Sequence, residues 1–133
     1  MQSCQGCTIS FIAIHYYGPP DGLSTHVNNI HSQYPNSSIW VTEFGFPQLS
    51  PADTVAALQS AINFFDTADF VDRYAYFPVY RVGEGNDFLG QGGAVLDGGG
   101  APNDVGRLWL GTPSSKVKRE DAAKPWWKWW SKS

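Results

Sequence analysis

Residues 39–47 read IWVTEFGFP, and the fold turns on how this stretch is read. Ile39, Val41 and Thr42 are β-branched and Trp40 is aromatic, a composition that favours a strand. Gly45 and Pro47 then break the run, so Glu43 stands at the strand's C-terminal end. The chain has three glutamates, Glu43, Glu84 and Glu120, and a residue this scarce is not filler at such a place. Strict alternation predicts Ile39, Val41 and Glu43 on one face, with Trp40 and Thr42 on the other.

Upstream, FIAIHYYG (11–18) is a short apolar run ended by Gly18, Pro19 and Pro20, as expected of a strand buried on both faces. Between the two runs, residues 23–34 space Leu23, Val27, Ile30 and Tyr34 as one face of a helix that Pro35 stops. Downstream, residues 50–69 give the clearest helix. Ser50 is its cap, Pro51 fits the first turn and Asp53 completes a variant capping box. Val55, Leu58, Ile62 and Phe65 are its predicted buried face. RYAYFPVY (73–80) reads as a third strand, followed by a Gly-rich stretch (83–100) and a weak helix at 104–111. Alternating strands and helices predict an α/β fold with a parallel sheet. His15 and Glu43 are 28 positions apart, and Glu43 and Tyr76 are 33 apart. That suits the roughly 30 residues per unit of an eight-unit barrel, which uses about 250. The chain has 133, so the expectation is part of a barrel.

Composition excludes several functions. Residues 1–104 carry ten acidic and two basic groups, and residues 105–133 carry seven basic and two acidic. The acidic body lacks the clustered basic face that nucleic acid requires. No apolar run approaches the roughly 18 residues of a transmembrane helix, and residues 1–10 lack a signal-peptide pattern. Cys4 and Cys7 form a CxxC that runs into a strand, not into the helix N-terminus a redox pair needs, and no further zinc ligands are evident. A local disulfide or two packed thiols is preferred. The Gly-rich stretch lacks the Gly-Lys-Ser/Thr ending of a phosphate loop and reads as a loop beside a cleft. His26 and His31, five positions apart, are expected to face solvent and make no metal pair.

In parallel barrels the chemistry gathers at the C-terminal strand ends. There the sequence places His15, Tyr16 and Tyr17, then Thr42 and Glu43, then Tyr74 and Tyr76. A carboxylate buried without Lys or Arg needs hydrogen bonds or a function, and His15 and Tyr76 are the expected donors. The alternative is a structural Glu43 that caps the amides of the following loop.

The blocks FIAIHYYG, IWVTEFGFP and VDRYAYF, with a terminal VGRLWL helix, resemble the C-terminal half of glycoside hydrolase family 128. This family comprises the fungal alkali-sensitive-linkage cell-wall proteins and related endo-β-1,3-glucanases. The likeness runs over about residues 4–111. It implies the last three strands, six to eight, of a (β/α)8 TIM barrel. It also implies a retaining mechanism on a β-glucan polysaccharide, without cofactor or metal, with Glu43 as nucleophile. His15, Tyr17 and Tyr76 would then bind substrate, Tyr76 standing where the family usually has Trp. In the family the acid/base comes from strand four, which has no counterpart here. Glu84, Asp87 and Asp97 on the loop after the third strand are weak substitutes. The expectation is therefore a truncated chain, partial catalytic domain 1–111 with a disordered Lys/Trp-rich tail 112–133, inactive alone. A non-catalytic carbohydrate-binding or cell-wall protein is the other class. The sequon Asn36-Ser37-Ser38 precedes the Glu43 strand, away from the active end, and points to an extracellular or cell-wall setting.

Overall fold

The computed structural model describes residues 9–85 and 87–111. Three strands and three helices follow in the order β1 (Phe11–Tyr17), α1 (Gly22–Gln33), β2 (Ser38–Gly45), α2 (Pro51–Thr67), β3 (Val71–Tyr76) and α3 (Asp104–Trp109). The strands form one parallel sheet in the order β1-β2-β3.

The helix boundaries follow local chemistry. Ser50 Oγ accepts the Asp53 N–H at 3.1 Å and its hydroxyl donates to Asp53 Oδ2 at 2.6 Å, closing the first turn of α2. Asn103 Oδ1 accepts the Gly106 N–H at 3.0 Å, while its Nδ2 donates to Ala94 O at 2.8 Å. One side chain thus starts α3 and ties it to the preceding loop. Gly106 is required there, because a Cβ would lie 2.0 Å from Val95 O. The third strand begins and ends earlier than expected. The Phe77 N–H still donates to Phe44 O at 2.8 Å, but Pro78 has no N–H to extend the ladder.

The helices cover one face of the sheet. Ile39, Val41 and Phe44 of β2 are fully buried against Leu23 and Val27 of α1, Leu58 and Phe65 of α2, and Val105 of α3. On α2 the innermost positions are Thr54, Ala57, Leu58, Ala61 and Phe65, with Val55 and Ile62 on the flank. Ala57 and Ala61 are small enough to bring the helix close to the sheet, which a reading weighted by side-chain size overlooks. The Thr54 hydroxyl donates to Ser50 O at 2.9 Å, so its burial leaves no orphan. His31 does not face solvent: its ring stacks on Phe70 at 4.0 Å, and His26 tilts against Tyr16 at 5.4 Å.

Alternation fails within β2. Ile14 pairs with Val41 but His15 pairs with Glu43, so Thr42 is an extra residue in the ladder. From the other side, Tyr74 pairs with Val41 and Tyr76 with Phe44, so one residue of β3 faces two of β2 between these pairs. Phe44 therefore joins Ile39 and Val41 on the helix side, and Glu43 turns to the open side with Trp40. This corrects the expectation that Glu43 shares a face with Val41.

Candidate active site

Parallel strands bring their C-terminal ends to one edge of the sheet. On β1, Ile12, Ile14 and Tyr16 pack toward the helices, leaving His15 and Tyr17 on the open side. The bulge at Thr42 sets Glu43 opposite His15 on that side, and the Thr42 hydroxyl donates to Ile14 O at 3.3 Å.

Tyr17 donates its phenolic hydrogen to Glu43 Oε2 at 2.6 Å, and His15 Nδ1 lies 3.5 Å from the same oxygen. Among the described residues no donor is directed at Oε1. The carboxylate is half-buried, its side chain 39% exposed, so solvent reaches it beside Tyr17. Burial, then the hydrogen bond to Glu43 and its charge, raise the Tyr17 pKa well above the ordinary phenol value. Tyr17 is thus a fixed neutral donor at physiological pH. The arrangement is a carboxylate steadied through one oxygen, with no donor among the described residues at the other.

Tyr76 is not among Glu43's partners. It is 6% exposed on the helix side, with its ring 5.4 Å from Phe44 and 6.0 Å from Trp109. Its hydroxyl reaches Gly93 O at 3.4 Å. The same extra residue that moved Glu43 outward leaves Tyr76 paired with Phe44 on the inside. The aromatic groups beside Tyr17 on the site side are Phe77 and Phe88, which meet its ring edge-on at 5.8 and 5.7 Å. Neither was singled out in the sequence. Phe77 is found by shifting the parity of the third strand by one, whereas Phe88 lies in a Gly-rich loop with no periodic signal.

The loop carboxylates have local work. Asp97 Oδ1 accepts the N–H groups of Gly99 and Ala101, each at 2.9 Å, and Glu84 accepts the Arg81 N–H at 3.3 Å. Among the described residues no hydrogen bond or ion pair joins Glu84, Asp87 or Asp97 to Glu43. No group of three or more His, Cys, Asp or Glu side chains among them is placed to hold a metal ion. No helix among them is long and apolar enough to cross a membrane. Cys4, Cys7 and the segment 112–133 lie outside the described residues.

Residues 1–109 match a family model described as the glycosyl hydrolase catalytic core. Alkali-sensitive linkage protein 1 of Schizosaccharomyces pombe is 30% identical over 120 residues, which span 83% of this chain and 21% of that protein. A family 128 endo-β-1,3-glucanase from Lentinula edodes superposes with a TM-score of 0.70 at 26% identity, over 79% of this chain and 45% of its own. A family 128 oligosaccharide-binding protein from Trichoderma gamsii superposes with a TM-score of 0.65 at 20% identity, over 81% and 42%. The chain thus spans less than half the length of each of these three proteins.

Proposed function

The chain belongs to the glycosyl hydrolase catalytic core family, and from that premise we propose that it carries the nucleophile of a retaining β-1,3-glucanase. Glu43 Oε1 attacks the anomeric carbon while Oε2 stays hydrogen-bonded to Tyr17, and His15 lies beside the same carboxylate. A second carboxyl group about 5–5.5 Å away protonates the departing oxygen and later deprotonates water. The three strands serve as strands six to eight of a (β/α)8 barrel, and the second carboxyl belongs to the preceding strands. The observation that carries this reading is the asymmetric hold on Glu43, one oxygen bound at 2.6 Å and the other without a protein donor among the described residues. Residues 1–111 form part of the catalytic domain and 112–133 a tail without catalytic role. The working location is the cell wall or extracellular space, with the exposed Asn36 sequon available for a glycan.

The second reading is sugar binding without hydrolysis. It is favoured by the absence, among the described residues, of any carboxylate joined to Glu43 or its partners, and by the oligosaccharide-binding relative. The deciding experiment uses the whole polypeptide in which this chain forms the last three strands. Glu43→Gln should lower laminarin hydrolysis by about a thousandfold or more and leave β-1,3-glucohexaose binding intact. A parent protein that binds the hexaose without cleaving it favours the second reading. Unchanged turnover in Glu43→Gln removes Glu43 as nucleophile.

A further inference from the structure

Phe88 is 56% exposed, yet its surroundings are unusually fixed for a ring facing solvent. The Gln48 side-chain amide donates to the carbonyls of Asp87 and Phe88, the latter at 3.0 Å, and the Gln48 N–H donates to Leu89 O at 3.1 Å. Leu89, next in sequence, is 2% exposed and anchors the turn. Tyr80 donates its hydroxyl to Gly90 O from the other side. Gly90 has a φ of +73°, and a Cβ there would come within 3.0 Å of Gln48 Oε1. Gln48 itself adopts a φ of 59°, the only left-handed residue other than glycine among those described.

A left-handed glutamine is strained and persists only where surrounding contacts fix it. Here the contacts it makes secure the backbone of an exposed aromatic residue. The Phe88 ring touches Tyr17, whose hydroxyl holds Glu43, so the exposed ring is continuous with the candidate site. A β-linked glucosyl ring presents a face of C–H bonds that packs on an aromatic plane, and such apolar surfaces orient ligands in clefts beside a few polar groups.

We propose that Phe88 is a stacking platform for one glucosyl unit of the substrate beside Glu43, and that Gln48 is the positioning residue that holds it there. The inference rests on the β-glucan reading and names a subsite within it. Its test uses the same whole polypeptide in the Glu43→Gln form, titrated calorimetrically with β-1,3-glucohexaose. Phe88→Ala should weaken binding about tenfold, and Phe88→Trp should keep or strengthen it. Gln48→Gly retains the left-handed backbone but removes the clamp. It should weaken binding about threefold and speed amide exchange at residues 88–90, with the melting temperature of Phe88→Ala unchanged. Binding unaltered in Phe88→Ala overturns the platform while leaving the glucanase reading intact. Unaltered exchange and binding in Gln48→Gly overturn the positioning role. A parent that neither binds nor cleaves β-1,3-glucan overturns both inference and reading.

Discussion

On the helix side of the sheet, the Phe44 ring lies 5.1–6.5 Å from those of Phe46, Phe65, Tyr74, Tyr76 and Trp109, and no part of it is exposed. On the other side Phe11 lies flat on Trp40 at 3.8 Å, Arg73 sits 4.9 Å above the same indole, and Phe11 remains 39% exposed. The first face is a finished interior, with aromatic edges seated on neighbouring ring faces. The second has the residues of an interior but, among the described residues, no layer packed over them. The buried Trp40 Nε1 has no hydrogen-bond partner among the described residues. Along this open face the chemistry changes from the apolar stack of Phe11 and Trp40 to the polar group of His15, Tyr17 and Glu43. The helix side therefore supplies stability, and the open side positions a carboxylate and leaves it reachable.

Truncating the hub of the covered face should have the largest effect. Phe44→Ala removes the ring that the sheet, α2 and α3 share, and should cost about 3–5 kcal/mol in urea unfolding. A loss as small as that from Trp40→Ala would make the two faces energetically alike.

Next in size is an alkaline effect to which Tyr74 and Tyr76 of the covered face contribute beside Tyr17 of the open one. Burial raises the pKa of Tyr74 and of Tyr76, and the bond from Tyr74 to Asp66 Oδ1 at 2.6 Å adds to it. These phenols keep their protons in the folded chain at pH values where the unfolded chain has lost them. Their contribution is complete below the unfolded phenol pKa of about 10 and falls as pH rises above it. Melting temperature should hold from pH 8 to about 10 and then decline. Tyr74→Phe should cost about 1 kcal/mol at neutral pH and flatten that decline. An unchanged slope would assign the alkaline loss elsewhere.

On the open face, Trp40→Ala should cost about 1 kcal/mol, since Phe11 and Arg73 cover the indole only in part. Near-ultraviolet circular dichroism should lose the stacked-indole signal while the far-ultraviolet spectrum stays. A loss above that of Phe44→Ala would reverse the ranking of the faces.

Smallest of all should be deletion of Thr42, which removes the extra residue of the bulge and its exposed hydrogen bond to Ile14 O. Glu43 would still follow Val41 onto the open face, and Phe44 would stay inside. Stability should change by about 1 kcal/mol or less, and the Tyr17–Glu43 contact should persist in the NMR spectrum. Glu43 moving to the helix side in this variant would show that the extra residue does not set the parity.

Local signals in the sequence were enough for much of this molecule. Pro35 and Ser50 mark a helix end and a helix start, β-branched residues mark β2, and the spacing of the runs gives parallel strands joined by helices. Each depends on backbone preferences within a few residues. The same locality put Glu43 at the C-terminal end of β2 and Tyr17 at that of β1. Which face Glu43 occupies could not be settled this way, because period-two alternation has no term for an inserted residue. The bulge at Thr42 exists only through pairing with β1 and β3, 27 and more positions away. That one insertion exchanged Glu43 for Phe44 on the helix side and left Tyr76 within the core. The aromatic neighbours of Tyr17 are Phe77 and Phe88, brought there by the end of the third strand and the loop after it. The sequence by itself determined the elements and the carboxylate, and tertiary pairing decided the face, since side-chain direction depends on register with neighbouring strands.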